Sequence, residues 1–134
     1  MASTHAWAEA LLRLAVASLF LVSATTKVTE TAAIQAYMNA YGVPEILVWP
    51  AAVWEYLAGI CFVIGYRIRP VAVLLAGWCV LTAVMFHTQF SDANQLMNFF
   101  KNVTMAGGFV LLAKGGSAGA SIDAVLAAHR QAAE

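Results

Sequence analysis

Charge is what this chain has least of. Seven basic and seven acidic side chains are spread over 134 residues, of which 62% are hydrophobic. A soluble domain of that length has more surface than so few charges can cover, so lipid must cover much of it. The balance describes an integral membrane protein with a single membrane domain. Formal net charge is zero and there is no basic stripe, which removes nucleic acid as a partner. Cysteine is nearly absent too. Cys61 and Cys79 lie inside apolar runs and form no C-x-x-C, so they read as small buried hydrophobes. A dithiol–quinone exchange, which needs paired thiols near a surface, is therefore set aside. Haem, iron–sulfur and dinucleotide signals are missing as well: there is no C-x-x-C-H, no cysteine cluster and no G-x-G-x-x-G. No stretch is of low complexity. A cleavable signal peptide is not evident, because the apolar run at 10–26 has no Lys or Arg before Arg13 and no A-x-A site closes it. It reads as a retained first span.

What the chain does have is four apolar runs, expected to cross the membrane at about 9–26, 50–65, 70–87 and 98–113. The expected fold is all-α: a four-transmembrane-helix bundle, up-down-up-down, occupying residues 1–114. Runs this short lie at the lower end of the roughly 17–25 residues a bilayer needs, so their ends should extend by a turn. Between the first two spans, residues 29–41 place Ile34, Tyr37, Met38 and Tyr41 on one helical stripe, with Gly42 and Pro44 as stop signals. That pattern predicts a short amphipathic helix on the membrane surface. Pro70 suits the first turn of the third span. The tail, 115–134, should carry a Ser-capped amphipathic helix over 121–129, with Ile122, Val125 and Leu126 as its apolar side. Putting both termini in the cytoplasm places Arg13, Arg67, Arg69, Lys114 and Arg130 inside and leaves Lys27 and Lys101 outside, so the positive-inside rule predicts N-in, C-in.

The few polar groups inside these runs fall at one depth. Lys27 ends span one, Glu55 lies near the start of span two, and His87 closes span three. Asn98, Lys101 and Asn102 occupy the first turns of span four. Helical phase is consistent with convergence: positions 13, 17, 20, 24 and 27 share a face, as do 55, 59 and 62. The corresponding stripes are 76, 80, 83 and 87 on span three, and 98, 101 or 102, 105 and 108 on span four. Small residues along them, Gly59, Ala76, Ala83 and Gly108, would let helices approach closely. Arg13, at the other end of span one, is expected to snorkel to the headgroups. Trp7, Trp49 and Trp54 read as interfacial belt residues and Trp78 as packing.

The run LLRLAVASLFLVSATTK, the segment AYMNAYGVPE, the step Trp54-Glu55-x-x-x-Gly59, His87 and the run QLMNFFKNVTMAGG together resemble the DoxX family of small four-helix membrane proteins. The resemblance spans residues 10–113. It implies Arg13, Lys27, Glu55, His87 and Lys101-Asn102 as the family's polar set, with Ala24 standing where a Gly before the Lys is common. It also implies a redox setting, since some relatives are the membrane subunit of a thiosulfate–quinone oxidoreductase while others have no assigned activity.

Two readings of the cluster follow. In the first, the protein is a quinone-interacting redox membrane subunit. Glu55 and His87 exchange protons as the catalytic pair, and Lys27, Lys101, Asn102, Asn98 and Trp54 bind the substrate. In the second it is a non-catalytic membrane anchor or assembly partner for a soluble oxidoreductase, and the Glu55 ion pair only fixes helix register. Quinone is the expected cofactor, with no metal site, because one well-placed His and one Glu without a thiol make a poor ligand set. The expected partners are the lipid bilayer, an oxidoreductase subunit and a second copy of the chain. The expected location is a bacterial-type cytoplasmic (inner) membrane.

Overall fold

The computed structural model describes residues 2–115 and 121–132. Among these, four helices are long and apolar enough to cross a membrane, and a short helix separates the first two, as the composition predicted. The helices are α1 (Ala2–Thr29), α2 (Thr31–Ala40), α3 (Val48–Ile64), α4 (Ile68–Phe86), α5 (Ala93–Gly115) and α6 (Ile122–Gln131), with one 3₁₀ turn, Glu45–Leu47, leading into α3. The candidate spans contain 24, 20, 19 and 23 residues. At about 1.5 Å per residue even the shortest reaches about 28 Å, close to the hydrocarbon thickness.

These spans exceed the apolar runs because local capping chemistry extends the helices. Residues 93–97, which lie before the expected start of the fourth span, belong to α5. Asp92 starts the helix: its carboxylate accepts the Asn94 N–H at 2.8 Å and its carbonyl accepts the Leu96 N–H. The second span begins before Pro50, which falls in the first turn of α3, where its missing N–H has no partner to lose. Pro70 occupies the same place in α4. Thr25 donates to the Leu21 carbonyl and Thr26 to that of Val22, so both threonine hydroxyls can lie in hydrocarbon without an open donor.

The helices form two compact units. In the first, α1 and α3 run antiparallel, accompanied by α2 and α6. Arg13, Ala17, Phe20 and Ala24 are buried along α1, facing a stripe on α3 that includes Ala52, Glu55, Gly59 and Phe62. Leu11, Leu12, Leu19 and Val22 of α1, and Val53, Leu57 and Ile60 of α3, are exposed and suited to lipid. Gly59 is where the two backbones come close: a Cβ there would stand 2.7 Å from Leu21 Cδ2 and 3.5 Å from the Ala17 carbonyl oxygen. α2 closes with the Gly42 N–H bonded to the Asn39 carbonyl and the Val43 N–H to that of Met38, a Schellman end with Met38 and Val43 buried beside it.

In the second unit α4 pairs with α5. The buried line on α4 runs through Ala72, Leu75, Ala76, Cys79 and Ala83, and on α5 through Ala106 and Phe109. Two expected stripe positions lie elsewhere. Val80 is about half exposed, and a Cβ on Gly108 would meet nothing within 4 Å. On α5, Asn98, Asn102 and Met105 are half-buried and Ala106 and Phe109 buried, while Lys101 and Gly108 are exposed, so the covered face follows 102 rather than 101 and passes through 109 instead of 108.

Gly59→Ala is expected to destabilise the protein by about 1–3 kcal/mol by pressing on Leu21. Adding Leu21→Ala should recover part of the loss, because the obstructing atoms are removed. Thermal unfolding in detergent, followed by circular dichroism, measures both; additive losses would show that the contact does not set the helix separation.

Candidate functional site

Glu55 sits at the middle of the α1–α3 interface and is 4% exposed as a residue. A carboxylate there needs a cation, and α1 supplies one: Lys27 Nζ lies 2.8 Å from Glu55 Oε2. The lysine head is positioned twice, since it also donates to Ser23 Oγ at 2.7 Å, one turn back on its own helix. Side-chain exposures of 17% for Lys27 and 5% for Glu55 put the pair largely out of water, where attraction is strong and the loss of either partner is costly. Beside it, Thr25 Oγ1 and the Tyr56 hydroxyl meet at 2.9 Å across the same two helices. Trp54, the other expected residue on α3, is half-buried.

At the far end of this hairpin Arg13 is 4% exposed and bonds to Glu9 Oε1 at 3.0 Å. A Cβ on Gly65 would lie 3.4 Å from the Arg13 guanidinium carbon, so the arginine is folded against the end of α3. Lys27 and Arg13 are separated along α1 by about 21 Å at 1.5 Å per residue, so the two charged pairs lie well apart along the hairpin.

The second unit holds the remaining expected residues. His87 follows α4 directly, its Nδ1 2.7 Å from Gln95 Oε1 in the first turn of α5. Asn102 donates from Nδ2 to the Asn98 carbonyl at 3.0 Å and accepts the Thr82 hydroxyl at Oδ1 at 3.3 Å, while Lys101 is exposed. Among the described residues, no three His, Cys, Asp or Glu side chains gather as a metal site would require.

Several contributors escaped the sequence reading. Ser23 lies four residues before Lys27 and Glu9 four before Arg13, spacings that put each pair on one helical face and could have been found. Gln95 was hidden by the late start assigned to α5. Tyr56 carried no local signal, because its partner Thr25 is remote in sequence.

A four-span helical chain with its first hairpin bridged by an intramembrane ion pair defines a class of small multi-pass membrane proteins. The DoxX family model matches residues 8–88, a stretch that includes Lys27, Glu55 and His87 and ends before Asn98, Lys101 and Asn102. The chain belongs to the DoxX family. It is 37% identical over 108 residues to Inner membrane protein YqjF of Escherichia coli K12, covering 81% of this chain and 83% of that one. It is 34% identical over 118 residues to Inner membrane protein YphA of the same organism, covering 83% and 84%. No solved structure matches the chain.

Glu55→Leu alone is expected to cost about 3–5 kcal/mol of stability by leaving Lys27 uncompensated, and Lys27→Met alone a similar amount. The double replacement, Lys27→Met with Glu55→Leu, should come within about 1 kcal/mol of the wild type, since no charge is then orphaned. Denaturant titration of the three purified variants in detergent tests this; singles that add up to the double would show that the two groups are not coupled.

Proposed function

We propose that this DoxX-family protein is a quinone-interacting redox membrane subunit, and that the Lys27–Glu55 pair is the centre of its site. The observation that carries this reading is a carboxylate and an ammonium 2.8 Å apart at membrane depth. Ionisable groups there are costly and mark substrate or proton pathways by default. The donor set suits a quinone head. Ser23 and Glu55 take up two of the three Lys27 N–H groups, and the third can donate to a carbonyl oxygen on which negative charge develops. Glu55 exchanges a proton, and Trp54 offers an aromatic wall. A bound quinone supplies two-electron, two-proton acceptor chemistry, with the electrons delivered by a separate oxidoreductase subunit. Within the second unit, His87 with Asn98, Lys101 and Asn102 at the head of α5 is a separate polar group, for which the same reading expects proton exchange and substrate binding.

A second reading is favoured by how completely the pair is satisfied. With Ser23 and Glu55 both bonded to Lys27, the cluster can act as register glue in a non-catalytic anchor for a soluble oxidoreductase. Both readings place the protein in a bacterial inner membrane, in keeping with the names of its two relatives. Both also place it N-in, C-in, in keeping with five basic residues on one side against two on the other.

Quinone binding to purified protein in nanodiscs separates the two. Wild type should bind saturably, Glu55→Gln should bind about tenfold or more weakly, and Lys27→Met with Glu55→Leu should stay folded without binding. Undiminished binding by the folded double variant overturns the site assignment. No binding by the wild type leaves the anchor reading.

A further inference from the structure

α6 is fastened to the end of α3. Gly65 closes α3 in the left-handed region at φ 69°, with the Tyr66 N–H bonded to the Cys61 carbonyl. Its own carbonyl accepts the Asp123 N–H at 3.0 Å, and the Asp123 carboxylate accepts the Arg67 N–H at 2.9 Å. Arg67 is itself held at φ 49°, a conformation that an L-residue keeps only when its surroundings impose it. Ser121 caps α6 by accepting the Ala124 N–H and is buried against Gly65, where a side chain would collide with Ser121 Cβ. The start of α6 and the end of α3 are thus one joint.

That joint fixes where α6 lies in the membrane. Gly65 is where a membrane-length helix ends, so the first turn of α6 begins at the boundary between hydrocarbon and headgroups. Ile122, Val125 and Leu126 share one face and are 39, 56 and 42% exposed. His129 continues that face by a turn, Arg130 follows it in the same turn, and Arg67, whose backbone N–H is part of the joint, is exposed. Asp123, the acidic residue of α6's first turn, is turned to the joint and bonded there.

We infer that α6 is an interfacial helix that inserts Ile122, Val125 and Leu126 among the lipids, with a bilayer bearing anionic headgroups as the occupant of its apolar face. Its depth comes from the Gly65–Asp123 joint, its insertion from the apolar face, and its headgroup preference from Arg67 and Arg130. Docked this way, the start of α6 covers Arg13 where that side chain folds beside Gly65.

The test is spin-label accessibility on full-length protein in nanodiscs containing phosphatidylglycerol, with Cys61 and Cys79 replaced by alanine. Labels are placed at Val125→Cys on the apolar face and at Ala127→Cys on the other side. A label at Leu57→Cys, on an exposed face of α3, serves as the lipid reference and the check on folding. Collisions with oxygen relative to a water-soluble nickel chelate should be roughly threefold higher at 125 than at 127 and should approach the value at 57. Exchanging phosphatidylglycerol for phosphatidylcholine should lower the ratio at 125. With Gly65→Ala, which breaks the joint, positions 125 and 127 should converge while 57 keeps its value. The inference is overturned if 125 and 127 are equally open to nickel. It is also overturned if 125 is shielded from both reagents, which would make a protein surface the occupant.

Discussion

A carboxylate inside hydrocarbon has to be answered by a cation, and in this protein the answer comes from another helix. Glu55 on α3 can be satisfied by Lys27 only if the two helices run antiparallel in one register. That register brings Gly59 opposite Leu21 and Ala17, and Gly65 beside Arg13. The apolar surfaces of α1 and α3 could slide past one another at little cost, because lipid is as apolar as they are. The ion pair and the missing side chain at Gly59 remove that freedom.

The spans were legible because hydropathy reports the medium directly. Their count, the short helix after the first and the serine cap of the last were all written in local composition. So were the buried faces of α1 and α3: the stripe from Arg13 to Lys27 and the stripe from Glu55 to Phe62 fall where helical phase puts them. In the second unit, phase was ambiguous between Lys101 and Asn102, and one residue of rotation on α5 is enough to exchange Gly108 for Phe109 on the covered side. Polar caps were harder to see, since Asp92 looks like loop composition until its bond to Asn94 is known.

The candidate site was legible in its charges and not in its supports. Lys27 and Glu55 stand out because charge is rare, whereas Ser23 and Tyr56 are ordinary residues that matter only through what they touch. Arg13 shows the opposite limit. Its chemistry suggested an exit to headgroups, and only the tertiary contact at Gly65 reveals that its head meets Glu9 and the end of α3. DoxX-family membership strengthens the case for the shared scaffold, while fold and family together leave chemistry to be argued from the site.

The ion pair between α1 and α3 also bears on biogenesis. Lys27 is translated 28 residues before Glu55, at the end of a helix where it can wait among headgroups. Glu55 has no such refuge, since it lies well within α3 and must enter lipid either protonated or already facing its lysine. The ribosome therefore delivers the cation first and the costly group second. In this order of arrival α1 precedes α3, and the first hairpin brings together in one contact the two charges that lie 28 residues apart in the chain.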